Sequence, residues 1–324
     1  MPLICSMNYG RVSSIGYNAF QRLAPVSNAV FSVAYLDTSD GHDAGYALTL
    51  TNGVVLNRAV VRDAYRRQLV SLVSNEVDSA VVSSYQYGYD TLARVTSRNA
   101  DTFGYNARSE VTAASVRSNA YTYAYDSIGN HTTASVNSDT TTYTANALNQ
   151  YSQISVSSVP SVDNPTYDLD GNLLTNGVWS YAYDAENRLT AAYSNNVCVV
   201  SNAYDHMSRR VLKWTPCHTT TFVYDGWNLL QETISTASGT TTNHYIWGRD
   251  LSGTMQGAGG VGGLLAVLID ETWYFPLYDN NGNVMAYVDE SGVVVAEYVY
   301  DAFGETIAKS GSMADVFAHR FRGF

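Results

Sequence analysis

Residues 121–130 read Tyr-Thr-Tyr-Ala-Tyr-Asp-Ser-Ile-Gly-Asn, and variants of this pattern recur along most of the chain. Aromatic residues alternate with small or polar ones before the aspartate, so their rings lie on one face of a β-strand. An aspartate with glycine three residues later is typical of a tight turn, because the carboxylate accepts backbone amide hydrogen bonds and glycine adopts positive φ without strain. The pattern predicts a strand that enters a hairpin turn.

The Tyr-Asp dipeptide marks a repeat of about 20 residues. Its aspartates are Asp90, Asp126, Asp168, Asp184, Asp205, Asp225, Asp279 and Asp301. Glycines three residues after them are Gly129, Gly171, Gly282 and Gly304, and weaker copies of the dipeptide lie at Asn18, Asp63, Asn106 and Asn146. A unit of this length holds two ordinary strands and a turn, and a single hairpin is marginally stable in water. We therefore expect hairpins that pair edge to edge, with these residues in structural roles at the turns.

The composition argues against several classes of function. Charged residues make up only 15% of the chain, while it contains 26 tyrosines, and this balance favours pleated sheet over helix. The net charge of −11 argues against partners such as nucleic acid or anionic membrane, since both attract Lys/Arg patches. The longest apolar stretch, Leu264–Ile269, is too short to cross a bilayer, and residues 1–10 lack the pattern of a signal peptide.

Four stretches carry a resemblance to a known family. Trp247–Val267, Leu277–Val284, Tyr298–Gly304 and His319–Phe324 resemble the RHS/YD-repeat family, bacterial shell proteins related to the animal teneurins. The resemblance implies a strip of hairpins that spirals into a β-shell, and a secreted or cell-surface location. In toxin members, it implies a C-terminal toxin enclosed by the shell and released by self-cleavage at an Asp-Pro-x-Gly site. This sequence contains no Asp-Pro dipeptide, so we expect a shell segment truncated before the autoprotease, plug and toxin.

The expected fold class is all-β, an elongated antiparallel ribbon of stacked hairpins that curls into an open β-shell. Residues 1–84 read as degenerate repeats and residues 85–324 as the core shell segment, within one continuous elongated domain. The function expected is that of a scaffold which encloses or presents a C-terminal effector absent here. Its partners would be the remaining segments of the parent shell, or further copies that associate through exposed edge strands.

Motifs that suggest chemistry are better explained as turns. The run Gly257-Ala-Gly-Gly-Val-Gly262 satisfies G-x-G-x-x-G, but Leu264–Ile269 after it reads as a strand where a dinucleotide site needs a helix. Asp168 and Asp170 lack the glycine and glutamate spacing of an EF-hand. The histidines show no ligand spacing, and no carboxylate pair stands apart from the turn positions. We therefore expect no enzyme activity, no catalytic residue, no cofactor and no metal.

An extracellular binding or adhesion module remains an alternative function. Its exposed aromatic surface would bind carbohydrate or a protein partner, and would include the tryptophans Trp179, Trp214, Trp227, Trp247 and Trp273. The competing interpretation is that these rings pack the ribbon, as aromatic residues in strands usually do. Burial distinguishes the two, because a platform ring is exposed and a packing ring is not.

Two further expectations concern single residues. If Tyr204 pairs with Val211 in the hairpin that turns at Asp205, then Cys198 lies opposite Cys217, and the two could form a disulfide. The C-terminal stretch 316–324 contains Phe317, Phe321 and Phe324, which would normally pack under additional sequence. We expect their exposure to promote self-association.

Overall fold

The structure is a computed structural model that describes residues 14–17, 23–159 and 162–321, and no helix occurs among them. Two sheets contain all the strands. The first consists of β1 (Ser14–Tyr17), β2 (Leu23–Ser27), β3 (Phe31–Asp37), β4 (Asp43–Leu50), β5 (Val55–Arg62), β6 (Val70–Val77), β7 (Ala80–Tyr89), β8 (Val95–Arg98), β9 (Asp101–Tyr105), β10 (Val111–Val116), β11 (Asn119–Tyr125), β12 (His131–Val136), β13 (Asp139–Ala145), β14 (Tyr151–Val156) and β15 (Val162–Asp163).

The second sheet contains the remaining fourteen strands. They are β16 (Thr166–Tyr167), β17 (Leu173–Asn176), β18 (Trp179–Tyr183), β19 (Leu189–Ser194), β20 (Val197–Tyr204), β21 (Arg210–Trp214), β22 (His218–Asp225), β23 (Asn228–Thr236), β24 (Gly239–Trp247), β25 (Leu264–Ile269), β26 (Thr272–Tyr278), β27 (Val284–Asp289), β28 (Val294–Tyr300) and β29 (Thr306–Ser310). Strand order follows the sequence in both sheets, and the described pairs are antiparallel. The predicted all-β ribbon of hairpins is confirmed.

Alternating aromatic residues make one face of each repeat strand apolar, as β11 shows. Tyr121 and Tyr123 are buried, while the alternating residues Thr122 and Ala124 are exposed. At the end of the strand the register shifts by one residue, because Ala124 pairs with Thr133 whereas Tyr125 pairs with His131. This shift is the β-bulge expected where a three-residue turn with one left-handed residue closes a hairpin.

The ribbon is interrupted where one sheet ends and the other begins. Strands β15 and β16 contain two residues each, and Asn164 and Pro165 lie between them. Proline has no backbone N–H to give to a ladder, so a continuous strand here would lose a hydrogen bond. Pro165 lies in this connection, and Pro160 lies outside the described residues.

The chain divides into two compact units. The first contains Met1–Asn99, Tyr224–Leu230 and Asn243–Phe324, and the second contains Ala100–Val223 and Gln231–Thr242. The first unit is therefore assembled from segments near both ends of the chain. The division predicted at residue 84 stays a prediction.

Apolar residues of β2–β5 and β24–β27 share one core within the first unit. Phe31 of β3 contacts Trp273 and Phe275 of β26 edge to face, with ring centroids 6.1 and 5.7 Å apart. Leu48 of β4 and Val288 of β27 are fully buried in the same cluster. Two amphipathic sheets cannot each leave an apolar face in water, so this shared core stabilises both sets of strands at once.

The cysteine prediction is wrong in part. Asn202 pairs with Lys213 in the predicted register, but Tyr204 pairs with Arg210 instead of Val211, because the turn inserts one extra residue. Cys198 lies on β20, whereas Cys217 follows the end of β21 in the next turn. Both cysteines are free thiols in the structure, and Cys5 lies outside the described residues.

The shared core gives a stability prediction. Replacing Phe31, which is 1% exposed, by alanine should lower the free energy of unfolding by about 3–5 kcal/mol, because the substitution leaves a cavity between the strands. Phe303 lies at a turn with 52% exposure, and its replacement by alanine should change that free energy by less than about 0.5 kcal/mol. Urea unfolding of both variants measures the difference. Equal losses would contradict the assignment of the core.

Candidate functional site

The aspartate turn is the repeating polar site of this fold, and Asp126 shows its geometry. Oδ1 of Asp126 accepts hydrogen bonds from the backbone N–H groups of Ile128 at 2.9 Å and Asn130 at 3.0 Å. Its Oδ2 accepts one from the side-chain amide of Asn130 at 2.7 Å. Gly129 between them has a φ of +98°, in the left-handed region. One carboxylate thus satisfies three donors within a single turn.

The same arrangement recurs with different partners at the fourth position. Asn172 and Asn283 close the turns of Asp168 and Asp279 with their side-chain amides. Arginines close three others through their guanidinium groups, in the pairs Asp90–Arg94, Asp184–Arg188 and Asp205–Arg209. The third position has positive φ throughout, at Gly171 and Gly282 and also at Ala93, Asn187 and Ser208. The backbone conformation is therefore constant, even where the residue there is not glycine.

Weaker copies of the dipeptide form the same type of turn when asparagine replaces aspartate. Oδ1 of Asn106 accepts from the N–H groups two and four residues later, and Asn146 does the same. Asp63 caps a longer loop between β5 and β6. Asp225 differs, because β22 ends at this residue and only two residues separate it from β23. Asn18 lies outside the described residues.

Hydrogen bonding to the carboxylates lowers their pKa. The side-chain amide of Asn130 is the largest cause of the lowered pKa of Asp126, and the backbone N–H of Arg188 is the largest cause for Asp184. Asp279 is the exception, because burial raises its pKa despite its hydrogen bonds and the nearby guanidinium of Arg98. The lowered pKa favours the anionic form at Asp90, Asp126, Asp168, Asp184 and Asp205.

The tyrosine of the dipeptide joins one hairpin to the strand before it. Its hydroxyl donates to a backbone carbonyl at the start of an earlier strand, over distances of 2.6 to 3.1 Å. The pairs are Tyr89–Val70, Tyr125–Val111, Tyr167–Tyr151, Tyr204–Leu189, Tyr278–Leu264 and Tyr300–Val284. Tyrosine and aspartate therefore have different structural roles. The aspartate closes its own turn, and the tyrosine hydroxyl bonds the strand before that turn to an earlier strand.

A buried polar contact crosses the shared core of the first unit. The guanidinium of Arg249 pairs with the carboxylate of Asp37 at 2.7 Å and donates to the carbonyl of Leu23 at 2.5 Å. The guanidinium also lies over the ring of Tyr35, and the hydroxyl of Tyr35 accepts a hydrogen bond from the backbone N–H of Arg249. Sequence reasoning did not identify this pair. The available signal was an arginine two residues after Trp247, the last residue of β24, in a chain with few charges.

The glycine-rich loop binds a carboxylate of its own chain. Oδ2 of Asp250 accepts from the N–H groups of Ala258 at 2.6 Å and Gly260 at 3.2 Å. These N–H groups are those that a phosphate-binding loop would offer to a ligand. The loop leads directly into β25 and connects it to β24, as the sequence indicated.

The C-terminal phenylalanines are not exposed as expected. Phe317 is 3% exposed and stacks on Tyr287 with ring centroids 3.7 Å apart, and Phe321 contacts Tyr300. The hydroxyl of Tyr298 in β28 donates to the carbonyl of Ala314, and this hydrogen bond holds the C-terminal segment against the sheet. The chain thus covers its own aromatic residues here, and this removes the reason given for self-association. Phe324 lies outside the described residues.

Most repeat tyrosines pack within the sheets, but three tryptophans are exposed. Tyr121, Tyr278 and Tyr300 are at most 3% exposed. The exposed tryptophans are Trp179, Trp214 and Trp227, with exposed fractions of 41%, 38% and 56%. Trp273 is buried, and Trp247 donates its indole N–H to the carbonyl of Leu229. The tyrosines of the Tyr-Asp dipeptides are buried or partly buried and therefore pack within the sheets, whereas Trp179, Trp214 and Trp227 face solvent.

Neither a metal cluster nor a membrane helix is found in the described part of the chain. No group of three His, Cys, Asp or Glu side chains there is arranged to hold a metal ion. His131 lies instead among aromatic rings, 4.7 Å from Tyr125, and burial lowers its pKa. No helix that could span a membrane is present among these residues.

A family model and two curated relatives match parts of the chain. A family model described as Teneurin YD-shell matches residues 67–323. The tRNA3(Ser)-specific nuclease WapA of Bacillus spizizenii is 31% identical over 161 residues, and the tRNA nuclease WapA of Bacillus subtilis is 29% identical over 161 residues. Each alignment covers 48% of this chain but only 6% of the relative, so this chain spans a small fraction of their length.

Solved structures show a similar fold at low sequence identity. A chain of the Photorhabdus luminescens Tc holotoxin pore covers 95% of this chain with a TM-score of 0.60 and 13% identity. A chain of the TcdB2-TccC3-Cdc42 crystal structure gives the same three values. This chain covers 18% and 19% of those two chains, which belong to multi-chain assemblies.

The turn geometry predicts how substitutions rank. Gly129→Val should lower the free energy of unfolding by about 1–3 kcal/mol, because a β-branched residue resists a φ of +98°. Asp126→Ala should cost about 1 kcal/mol through lost hydrogen bonds to the backbone. Gly104→Ala is the control, since its added Cβ would meet ordinary contacts at 3.6 Å. Thermal melts that rank Gly104→Ala as the most harmful would contradict this reading.

The buried tyrosines predict a loss of stability at high pH. Burial raises the pKa of Tyr46 to about 12, while an unfolded tyrosine titrates near 10. The unfolded state therefore loses its proton first, so this contribution is complete below about pH 10 and disappears as the pH rises towards 12. Urea unfolding between these pH values should show the decrease, and Tyr46→Phe should make it shallower. An identical pH dependence in that variant would refute the assignment.

Proposed function

The chain belongs to the teneurin YD-shell family, and we propose on this basis that it is a shell segment which encloses or presents an effector attached to the same protein. Its structural role in a shell follows from the family match over residues 67–323, and this observation carries the proposal. The effector is not part of the chain described above. It is proposed from the shell resemblance and from the nuclease and toxin context of the relatives.

The use of polar groups in the repeats supports a scaffold. Each capping carboxylate is occupied by N–H groups of its own turn, and each tyrosine hydroxyl of the six pairs binds a carbonyl. Asp250 fills the one glycine loop that resembles a ligand site. Groups spent on internal hydrogen bonds are poorly available for proton transfer or nucleophilic attack. We therefore propose that this segment does no chemistry, and that any nuclease activity of a parent protein lies in another part.

A binding module is the second candidate, and the exposed tryptophans favour it. Trp227 is 56% exposed, although it follows directly after Gly226 in a two-residue connection where a small polar residue would be usual. Exposed tryptophan is enriched where proteins bind partners. Trp179 and Trp214 lie in the other unit and are exposed as well. Secretion or display at the cell surface would suit either candidate.

The scaffold proposal predicts protection without catalysis. A flexible, protease-sensitive reporter fused after residue 324 should be cleaved about tenfold more slowly than the same reporter on an unrelated folded carrier, because the shell restricts access to it. The purified chain should leave tRNA intact. Protease digestion followed in time and tRNA electrophoresis provide the two measurements. Equal cleavage on both carriers would contradict the shell role, and tRNA cleavage would contradict the absence of chemistry.

A further inference from the structure

Asp225 is the one aspartate of the Tyr-Asp dipeptides whose carboxylate does not close its own turn. The carboxylates of the other seven each accept backbone N–H groups in their own turns, at Asp90, Asp126, Asp168, Asp184, Asp205, Asp279 and Asp301. Asp225 is exposed at the end of β22, and no hydrogen bond or ion pair engages its carboxylate in the part of the chain that the structure describes. This carboxylate is therefore available to another molecule.

An exposed indole lies at the same hairpin tip and is held there. Only Gly226 separates Asp225 from Trp227, which is 56% exposed. The side-chain amide of Gln256 accepts from the backbone N–H of Trp227 at 3.0 Å and donates to the carbonyl of Asp225 at 2.8 Å. A Cβ on Gly226 would lie 2.2 Å from Oε1 of Gln256, so a larger residue would displace this amide. An aromatic side chain on a fixed backbone loses little conformational entropy when it binds.

Elsewhere in this chain, an aromatic ring beside a carboxylate receives an arginine. The guanidinium of Arg249 lies 4.7 Å from the ring centre of Tyr35 and pairs with Asp37 at 2.7 Å. One guanidinium thus contacts a ring and a carboxylate that are two residues apart. Arg188 also lies over a repeat tyrosine, 5.1 Å from the ring centre of Tyr204. Arginine suits both contacts, because its plane stacks on a ring while its forked N–H groups reach oxygen atoms.

Asp225 and Trp227 present the same two groups two residues apart, but their arginine is missing. In the described part of the chain, no cation lies over the indole of Trp227. Tryptophan gives the strongest cation–π contact, and a carboxylate adds a charge-assisted hydrogen bond. The net charge of −11 attracts a cationic partner and disfavours a second copy of the same chain. The exposed Trp214 differs, because it follows Lys213 and has no carboxylate within two residues.

We propose that the tip of the β22–β23 hairpin is a docking site for an arginine side chain of a partner polypeptide. The guanidinium stacks on the indole of Trp227 and donates its N–H groups to the carboxylate of Asp225. The inference specifies the partner chemistry for the binding-module candidate, on which it rests, and is independent of the shell role. Contact with one side chain should have a dissociation constant on the order of millimolar, to which the rest of the partner adds.

N-acetyl-arginine amide is a probe that carries only the proposed contact. The full chain labelled with 5-fluorotryptophan gives fluorine NMR resonances for its five tryptophans, and Trp227→Phe identifies the one from Trp227. Titration should shift this resonance saturably, by about threefold more than the resonances of Trp179 and Trp214. N-acetyl-citrulline amide has the same shape without the charge and should shift it little. Equal shifts by the two probes would overturn the proposed contact.

Matched variants separate the site from general electrostatics. Asp225→Asn and Asp170→Asn each remove one negative charge at an exposed position. Asp225→Asn should weaken binding of the arginine probe about fivefold, whereas Asp170→Asn should leave it unchanged. A fluorescent tetra-arginine peptide, followed by anisotropy, compares Trp227→Ala with Trp214→Ala, and only the first should weaken binding. Equal losses within either pair would overturn the site, and circular dichroism shows that each variant is folded.

Three outcomes would identify a different occupant and overturn the assignment to a partner's arginine. A neutral sugar that shifts the Trp227 resonance when the arginine probe does not would indicate a carbohydrate site. Binding of the probe only after Arg11, Arg22 and Arg322 are replaced by glutamine would indicate this chain's own segments, which lie outside the described residues. A dimer in sedimentation that Trp227→Ala abolishes would indicate a second copy.

The shell role is tested separately from this contact. Asp225→Asn should leave the reporter after residue 324 as protected from protease as it is on the original chain, because the variant alters only an exposed turn. Loss of arginine binding with protection retained confirms that the docking site is separate from the shell. Loss of both together would show that Asp225 has a structural role and would overturn the proposal.

Discussion

A carboxylate that accepts backbone amides two and four residues ahead of it in the chain is the contact on which each repeat depends. It fixes a turn of three residues. The left-handed residue in that turn shifts the strand register by one residue, so that the aromatic faces of two consecutive strands lie on the same side of the sheet. Without this shift, a side-chain period of two would turn the tyrosines of one strand away from the core. Packing, tyrosine contacts and strand order all follow from the closed turn.

The polar contacts of the first unit show how such a ribbon selects one arrangement of its strands. Apolar packing between β3 and β26 is tolerant of sliding, because Phe, Leu and Val side chains make no directional contacts. Arg249 removes that freedom, since its guanidinium must meet both the carboxylate of Asp37 and the carbonyl of Leu23. Arg98 with Asp279 provides a second fixed point. Breaking either pair would leave a buried charge unpaired, which is costly.

Sequence reasoning recovered what is local and repeated. The turn at Asp126, the strand after the glycine loop and the all-β architecture follow from short-range propensities, which the sequence states directly. The single-residue shift at the turn of Asp205 was harder to predict, because serine occupies the left-handed position where glycine would be the usual signal. The cysteine pairing failed for a different reason, since β21 ends at Trp214 before the ladder reaches Cys217. The Arg249–Asp37 pair was missed because its members are 212 residues apart and no periodicity relates them.

The division of the first unit has a consequence for synthesis. Strands β2–β5 are made early, but the strands that cover their apolar face lie beyond Asn243, roughly 180 residues after the end of β5 at Arg62. At about 5–20 residues per second, translation leaves that face uncovered for on the order of ten seconds. During this time Leu48, Phe31 and their neighbours can be sheltered only by chaperones or by transient collapse. The apolar face of β2–β5 is therefore covered only after the strands beyond Asn243 have been made.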